Sequence, residues 1–466
     1  MKHEESVPVK RHSVTSTLNH DSVELNAGGA LDYESIRVTS QPGILKRWSL
    51  QMIASTWTIC HFYISYQLVL EFKGYSQTSI PPQWLRLRVA AVAVFWFTIL
   101  GVIRFCLRYY RCVKFHLDNL EEFPNMYRDH KIQTVMVHQD LKNYRLYLQI
   151  FGAIFLSPFR VLSGASLMGT CMCAIAIPKI ILGDRLRGLT DGITVIALRV
   201  MAILGLWLMG VCEVKTVFVG GRPQQPNSVI SNHIGVMDVM YMAMEGSYSY
   251  VCKKSLETAP YVNHLINVLQ CITVERTCQA HRKTAYAALV NRIKSIHEGN
   301  EARSLVVYPE GSATQGNVLL PFRNGAFGAL LPLQPLIVVL DYDYMNLTFD
   351  AFPFLWWINN ILCNPFPVKF IAYWLPTIQP PSQEEIQLKG YRECVKEYAQ
   401  RAHATMREAL IKLNPKVDLN LMKSDTIGIP PSLKRMVLSR LYGPLIQKSY
   451  KISDDDLKNA KLTALN

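Results

Sequence analysis

A histidine and an aspartate five positions apart are the first residues in this sequence whose types and spacing suit chemistry. The segment from Asn232 to Asp238 (NHIGVMD) follows a short apolar run and precedes a helical pattern. If a helix begins just after His233, its first turn brings Asp238 back toward the imidazole. A carboxylate that accepts one ring N–H leaves the other nitrogen free as a base toward a hydroxyl. The same spacing also fits a histidine that only caps a helix.

A second polar cluster, Tyr308 to Ser312 (YPEGS), stands at the end of the strand-like run Ser304 to Tyr308. The carboxyl ends of parallel strands are where α/β sheets bind ligands. Gly311 permits close backbone approach, and Ser312 offers a hydroxyl and an amide N–H. Taken alone, the cluster is also typical of a turn that ends a strand.

Three further segments carry basic residues or prolines in the same part of the chain. Arg276 follows the apolar run Cys271 to Val274, and arginine is a natural bidentate phosphate ligand, although it also forms surface ion pairs. Arg323 stands beside a glycine-permitted turn in Pro321 to Phe327. The fifth segment, Leu331 to Ile337, is apolar and punctuated by proline.

In this order, the five segments resemble the conserved blocks of the glycerolipid acyltransferase superfamily. His233 and Asp238 match its H-x4-D block, and Arg276 matches its arginine block. Tyr308 to Ser312 match the (F/Y)PEG(T/S) block, and Leu331 to Ile337 match the proline-containing fourth block. The sequence is therefore identified as similar to this superfamily, over about residues 217 to 413.

Within the superfamily, the stretch from Tyr308 to Phe327 with Gln334-Pro335 most resembles the lysophosphatidylcholine acyltransferase branch. Arg282-Lys283-Thr284 fits that branch too. Lysophosphatidic acid enzymes commonly carry arginine two places after the glycine of the PEG motif, where this chain has Ala313. The calcium-binding loop of some lysophosphatidylcholine enzymes has no counterpart here.

The resemblance implies transfer of a fatty acyl chain from acyl-CoA to the free hydroxyl of a 1-acyl-lysophospholipid. His233 is the implied general base and Asp238 the residue that orients it. The implied substrate-binding residues are Arg276, Glu310, Gly311, Ser312 and Arg323, and the supporting motif positions are Asn232, Pro309 and Pro335. Acyl-CoA is a co-substrate, and no metal or other cofactor is implied.

Three other functions remain open at this point. One is a lysophosphatidic acid or glycerol-3-phosphate acyltransferase. Another is a non-catalytic membrane or lipid-droplet adaptor that retains the fold. The third is a CoA-independent transacylase that exchanges chains between phospholipids.

Composition indicates a water-facing body with apolar segments attached. Of 466 residues, 50% are hydrophobic and only 18% are charged, against about 25% charged in typical soluble domains. A mean hydropathy of +0.11 is too low for a chain made only of membrane spans. These values exclude wholly disordered, collagen-like and coiled-coil proteins.

Charge and cysteine usage indicate the partners and the compartment. The net charge of +14 favours an anionic partner, and a phospholipid membrane suits it better than nucleic acid, for which no recognition motif occurs. Eleven cysteines without a CxxC pair are typical of reduced thiols on a cytosol-facing protein, not of a disulfide framework or a zinc site.

The first half of the chain divides into three regions. Residues 1–45 are predicted to form a polar, disordered tail. Residues 46–110 are predicted to form an apolar hairpin or two transmembrane helices around the runs Trp48–Leu70 and Val89–Ile103, the alternative being two buried core helices. Residues 111–216 form amphipathic and membrane-associated helices. Within them, 161–178 fits a re-entrant or interfacial segment, and 200–212 is too short to span.

The resemblance implies that residues 217–415 form the acyltransferase domain. The alternating strand and helix patterns predict an α/β fold with a largely parallel or mixed sheet and flanking helices, preceded by the membrane-embedded helices. Its clearest predicted helices are Gln279–His297 and Ser382–Leu413, the second opened by a Ser382/Glu385 capping box. Residues 416–466 form a tail whose amphipathic stretch, 433–441, either lies on a membrane or caps the core.

The implied location is the endoplasmic reticulum or another endomembrane, with the catalytic domain facing cytosolic acyl-CoA. The glycosylation sequon at Asn346 is therefore predicted to be unmodified.

Overall fold

The computed structural model describes residues 36–40, 48–72, 82–119, 139–220, 228–258, 262–275, 279–300, 303–350, 352–417 and 431–455. The strands are β1 (Ile36–Ser40), β2 (Val211–Val219), β3 (Ser228–Ser231), β4 (Ser249–Lys253), β5 (Ile272–Val274), β6 (Leu305–Val307), β7 (Leu333–Tyr342) and β8 (Val368–Trp374). The α-helices are α1 (Ser49–Phe72), α2 (Pro82–Asp118), α3 (Leu146–Phe155), α4 (Ser157–Leu182), α5 (Arg187–Leu208), α6 (Val236–Glu245), α7 (Val262–Val268), α8 (Gln279–His297), α9 (Phe354–Cys363), α10 (Gln383–Lys389), α11 (Tyr391–Leu413), α12 (Pro431–Tyr442) and α13 (Pro444–Tyr450). Short 3₁₀ turns span Gln139–Asn143, Gly183–Leu186, Lys254–Leu256 and Asn324–Phe327.

The strands form one eight-stranded sheet in the order β1-β2-β8-β7-β3-β6-β4-β5. The pairs β1–β2 and β7–β8 are antiparallel, and the other pairs are parallel. The predicted fold class, a largely parallel or mixed sheet with flanking helices, is therefore confirmed. Strand β7 has ten residues and pairs with both β3 and β8.

Helices cover both faces of the sheet. Successive residues of a strand point to opposite sides, so each central strand contributes side chains to two helix-covered clusters. Ile230 and Ile337 pack in one buried cluster with residues of α8 and α11. Val229 and Val338 pack in a second cluster with residues of α5, α6 and α9. The central strands are thus buried on both faces, as is usual for parallel strands.

Three helices among the described residues are long and apolar enough to cross a membrane: Trp84–Asp118, Ser157–Leu182 and Arg187–Leu208. The segment 161–178, predicted to be re-entrant or interfacial, lies within the 26-residue helix α4, which is longer than a re-entrant half-span. The run 200–212, predicted to be too short to span alone and to lie against the membrane or lead into the core, completes α5 with its first part and begins β2 with its last residues. Helix α1 includes all but the first residue of the run Trp48–Leu70, and it is not one of these three helices.

Two other boundaries differ from the expectations. Strand β1 lies within the region predicted to be disordered, and it pairs with β2 from Ile36↔Val219 to Ser40↔Lys215; residues 1–35 lie outside the described part. The helix predicted over Ser382–Leu413 is two helices, α10 and α11, separated at Gly390. Gly390 has a φ of +82°, which breaks the helix although the Ser382/Glu385 capping box is present.

The C-terminal helix α12 caps the core and does not stand apart from it. Its residues Val437, Leu438 and Leu441 are buried in a cluster with Tyr109 of α2 and Phe352. The Nδ1 atom of His116 lies 3.1 Å from the carbonyl oxygen of Leu441. Of the two alternatives for this amphipathic stretch, the structure therefore has the one in which it covers the core.

Candidate active site

The two polar motifs meet because they follow neighbouring parallel strands. Strands β3 and β6 pair with Val229 opposite Val306 and Ile230 opposite Val307. The chain therefore leaves both strands at the same edge of the sheet, at Asn232 after β3 and at Tyr308 after β6. Two backbone segments 77 positions apart thus form one site.

Helix α6 holds Asp238 against the imidazole of His233. Gly235 is the N-cap, and Asp238 is the third residue of the helix, so its carboxylate turns back over the first turn. Its Oδ2 atom accepts hydrogen bonds from the N–H groups of Ile234 at 2.7 Å and Gly235 at 3.2 Å. The same atom lies 2.8 Å from Nδ1 of His233. The structure therefore brings the two side chains together as their spacing predicts.

This carboxylate contact fixes the useful tautomer of His233. With Nδ1 carrying the proton toward Asp238, Nε2 keeps its lone pair. The side chain of His233 is 25% exposed, whereas that of Asp238 is 1% exposed. The imidazole is thus oriented from the protein interior and open toward solvent, which is the arrangement required of a general base.

Tyr308 packs against a face of the His233 imidazole, a contact that the sequence motif did not reveal. Its ring stacks on His233 with a centroid separation of 4.2 Å and an interplanar angle of 24°. Burial raises the pKa of the Tyr308 phenol well above its ordinary value, and the charge of Asp238 adds to the rise. Tyr308 therefore stays a neutral phenol beside the His233–Asp238 pair.

Glu310 connects the two motifs through the backbone. Its Oε1 atom accepts the N–H of His233 at 2.9 Å, and its Oε2 atom accepts the N–H of Leu320 at 2.8 Å. The residue is 2% exposed. Because both oxygens serve backbone amides, this geometry revises the substrate-binding role implied for Glu310 and favours a positioning role.

Two further contacts hold the main chain of the catalytic motif. The side chain of Asn232 bridges to β7, donating to the carbonyl oxygen of Val338 at 2.9 Å and accepting its N–H at 2.7 Å. The N–H of Thr314 donates to the carbonyl oxygen of His233 at 2.8 Å. His233 is therefore held through its N–H, its carbonyl oxygen and its imidazole.

Of the other implied site residues, the structure places four in or beside the loop after β6: Pro309, Gly311, Ser312 and Arg323. The carbonyl oxygen of Pro309 accepts the N–H of Arg323 at 2.9 Å. A Cβ atom at Gly311 would meet the Arg323 side chain at 2.6 Å, so this glycine allows the guanidinium to lie over the turn. Ser312 accepts a hydrogen bond at 3.1 Å from Lys434, a residue that the motifs do not include.

One implied residue, Pro335, lies away from this loop. Pro335 is inside β7, opposite Ile230, and its carbonyl oxygen accepts the N–H of Leu375 at 3.0 Å, which is a structural role. Arg276 lies outside the described residues. Over the described part of the chain, no group of three His, Cys, Asp or Glu side chains is placed to bind a metal ion.

Replacing Gly235 with alanine is expected to destabilise the site. Gly235 has a φ of +118° and a ψ of −129°, a combination almost confined to glycine. A Cβ atom there would lie 2.5 Å from Cβ of Phe349. We expect Gly235→Ala to lower the free energy of unfolding by about 1–3 kcal/mol, measured as a lower unfolding temperature in detergent. Gly192→Ala is the control, since no atom lies within 4 Å of that position, and equal unfolding temperatures for the two variants would contradict this account.

Glu310 is expected to make stability depend on pH. Burial raises the pKa of its carboxyl from 4.5 to about 8. The folded protein therefore binds this proton more tightly than the unfolded chain does, and stability falls as the pH rises from about 4.5 to 8. Glu310→Gln should remove this slope, which is at most about 1.4 kcal/mol per pH unit. Unfolding temperatures measured across that pH range test this prediction, with Glu384→Gln at an exposed position as the control. An unchanged slope in Glu310→Gln would contradict a raised pKa of the Glu310 carboxyl as its source.

A family model described as Acyltransferase matches residues 219–341, which include both polar motifs. The lysophospholipid acyltransferase LPEAT1 of Arabidopsis thaliana is 29% identical over 165 residues, covering 35% of this chain and 41% of that protein. Lysophosphatidylcholine acyltransferase 2 of Homo sapiens is 26% identical over 249 residues, covering 52% of this chain and 44% of that protein.

A crystal structure of the 1-acyl-sn-glycerophosphate acyltransferase PlsC from Thermotoga maritima is similar with a TM-score of 0.34 and 16% sequence identity, covering 59% of this chain and 99% of that one. The matches to the two sequence relatives span about two fifths of the lengths of those proteins. The family match, these relatives and the ordered motifs at one sheet edge agree. Over residues 219–341 this chain is similar to the acyltransferases of the glycerolipid superfamily, and the relatives it matches are near the lysophosphatidylcholine acyltransferase branch.

Proposed function

We propose that this protein is an acyl-CoA-dependent acyltransferase that esterifies the free hydroxyl of a 1-acyl-lysophospholipid, with a lysophosphatidylcholine-type acceptor favoured. The observation that carries the proposal is the contact between Nδ1 of His233 and the buried carboxylate of Asp238 at 2.8 Å. It leaves Nε2 as an oriented base at an open edge of the sheet. The names of the two sequence relatives support a lysophospholipid as acceptor.

The proposed reaction needs one base and no covalent acyl-enzyme, because the thioester is already activated. Nε2 of His233 removes the proton of the acceptor hydroxyl while the hydroxyl oxygen attacks the thioester carbonyl carbon. The carbon–sulfur bond then breaks, and the CoA thiolate takes the proton from the imidazolium. Asp238 stabilises the imidazolium without itself being protonated. The products are a diacyl phospholipid and free CoA.

The packing of the membrane segment on the catalytic helix supports an acceptor delivered from a lipid leaflet. Ala202 and Leu206 of α5 share a buried cluster with Met237 and Tyr241 of α6. Helix α6 begins beside the catalytic pair, and α5 is one of the three helices long and apolar enough to cross a membrane. A lysophospholipid in the adjoining leaflet would thus reach His233 without leaving the bilayer.

Endoplasmic reticulum or other endomembrane residence, with the catalytic domain in the cytosol, remains part of this proposal. The sequon residue Asn346 is 8% exposed, and its side-chain amide donates to the carbonyl oxygen of Gln315 at 2.8 Å. A glycan at this asparagine would not fit the folded domain. We therefore expect Asn346 to be unglycosylated in cells. Both the burial of this side chain and a cytosolic orientation of the domain give that result.

The test is acyl transfer by the purified full-length protein. Labelled oleoyl-CoA is supplied with a panel of lyso acceptors that differ only in headgroup, and each reaction is repeated without the CoA ester. Transfer that requires oleoyl-CoA and prefers one lysophospholipid supports the proposal and names the headgroup. Transfer to lysophosphatidic acid or glycerol 3-phosphate alone would favour those acceptors instead.

Two outcomes would overturn the proposal. Chain exchange between phospholipids without a CoA ester would establish a transacylase. Inactivity of the folded, membrane-reconstituted protein on every acceptor would favour an adaptor that retains the fold.

A further inference from the structure

Lys434 contacts the loop that follows β6, although it lies outside the segment that the family model matches. Its Nζ atom donates hydrogen bonds to Oγ of Ser312 at 3.1 Å and to the carbonyl oxygen of Ala313 at 2.9 Å. The lysine lies on α12, whereas the family model ends at residue 341. The C-terminal helix therefore contributes a charged side chain to the edge of the sheet that carries His233.

The position of Lys434 on its helix is unusual for a lysine. Val437, Leu438 and Leu441 lie three, four and seven positions further along, on the same helix face, and are at most 1% exposed. The neighbouring Arg435 points to solvent. The apolar contacts of α12 thus direct Lys434 inward, where a charge is costly to bury unless it has a partner.

The connection from Lys434 to the catalytic histidine is short. The carbonyl oxygen of Ala313 accepts from Lys434, and the N–H of the next residue, Thr314, donates to the carbonyl oxygen of His233. One peptide group therefore links the lysine to the histidine, which limits the path from Nζ to that carbonyl oxygen to about 8 Å. In a lysophospholipid, four bonds separate the attacking oxygen from phosphorus, a reach of about 5 Å.

Among the described residues, Lys434 and Ser312 still have N–H and O–H donors to offer a ligand. An ammonium group has three N–H donors, and Lys434 directs two of them to Ser312 and Ala313. Among the described residues, no carboxylate forms an ion pair with Lys434. The Ser312 hydroxyl accepts from the lysine, so its own proton is available to another acceptor. An anion at this point would receive hydrogen bonds from both side chains.

The electrostatic surroundings agree with an anion site. Burial lowers the pKa of the Lys434 ammonium, and the charge of Lys253 at the end of β4 acts in the same direction. Asp350 and Glu310 oppose that change. Arg323 lies over Gly311 on the same loop. A bound phosphate would offset the burial of the ammonium and lie between cationic side chains.

We propose that Lys434 is a substrate-binding residue that contacts a substrate phosphate group together with Ser312, so that the C-terminal helix α12 is part of the active site. This inference rests on the proposed function for the identity of the phosphate. Two substrates carry that chemistry, the lysophospholipid acceptor and CoA. The position of the lysine is the same for both, and binding measurements separate them.

The test is equilibrium binding to the purified full-length protein in a non-ionic detergent, with no acyl donor, so that no turnover occurs. The ligands are lysophosphatidylcholine, a monoacylglycerol with the same chain, and CoA. The variants are Lys434→Met, Lys434→Arg and, as the matched control, Arg435→Met. We expect Lys434→Met to weaken one phosphate-bearing ligand at least about tenfold, the effect of losing a charge-assisted hydrogen bond. Lys434→Arg should retain most of that affinity.

Each outcome decides the inference. A loss confined to lysophosphatidylcholine assigns the acceptor phosphate, and a loss confined to CoA assigns a CoA phosphate. Unchanged binding of both ligands overturns the inference, as does an equal loss for monoacylglycerol, because that pattern would mean that the lysine only supports the loop. The binding measurements involve no turnover. Wild-type protein that binds these ligands but transfers no acyl chain would therefore contradict the proposed function and leave the phosphate contact of Lys434 standing.

Discussion

Replacing His233 with alanine is expected to lower acyl transfer by at least about 10²-fold, the loss typical of a missing general base. The substitution removes Nε2 but leaves the backbone contacts of His233 with Glu310 and Thr314 intact. The site should therefore still form and still bind substrates. Initial rates with saturating oleoyl-CoA and the preferred lysophospholipid measure the effect.

Two controls separate loss of chemistry from loss of folding in this experiment. His297→Ala changes an exposed histidine at the end of α8 and should retain full activity. The unfolding temperature of His233→Ala in detergent should stay near that of the wild type. A folded His233→Ala protein with wild-type rates would exclude the histidine as the base.

Asp238→Asn is expected to cost about 10²–10⁴-fold in kcat, with little change in the KM for the acceptor. An amide lacks the negative charge that stabilises the imidazolium. It also disturbs an oxygen that accepts two backbone N–H groups besides Nδ1 of His233. The imidazole would then lose both its preferred tautomer and its orientation.

The double variant tests whether the two residues act as one unit. If Asp238 works through His233, the protein with both His233→Ala and Asp238→Asn should be no slower than His233→Ala alone. Fully multiplicative losses would mean that Asp238 contributes independently, for example by folding the loop. The exposed Asp118→Asn serves as a neutral control.

Much of the site follows from local patterns in the sequence. His233 and Asp238 approach each other because a helix that begins at Val236 turns the third residue back over its own start. The meeting of the two polar motifs follows from parallel strand pairing, which places the ends of β3 and β6 side by side. Both arguments use distances of one helical turn or one strand spacing.

The remainder depends on long-range packing that periodicity does not reveal. The pattern of α12 shows which of its faces is apolar, but its contact with Ser312 spans 122 positions. The motif around Glu310 shows a carboxylate, but its burial and its contact with Leu320 depend on the folded loop. Strand β1 pairs with β2 across more than 170 positions, and its composition alone resembles a polar tail.

The most direct test of the central claim follows both products of one reaction. Purified protein is mixed with labelled oleoyl-CoA and the preferred lysophospholipid, and the ester formed and the free thiol released are measured together. The account predicts equal amounts of diacyl phospholipid and CoA in the wild type, and loss of both in His233→Ala. Thiol release without ester formation, or ester formation that persists in the folded His233→Ala protein, would contradict it.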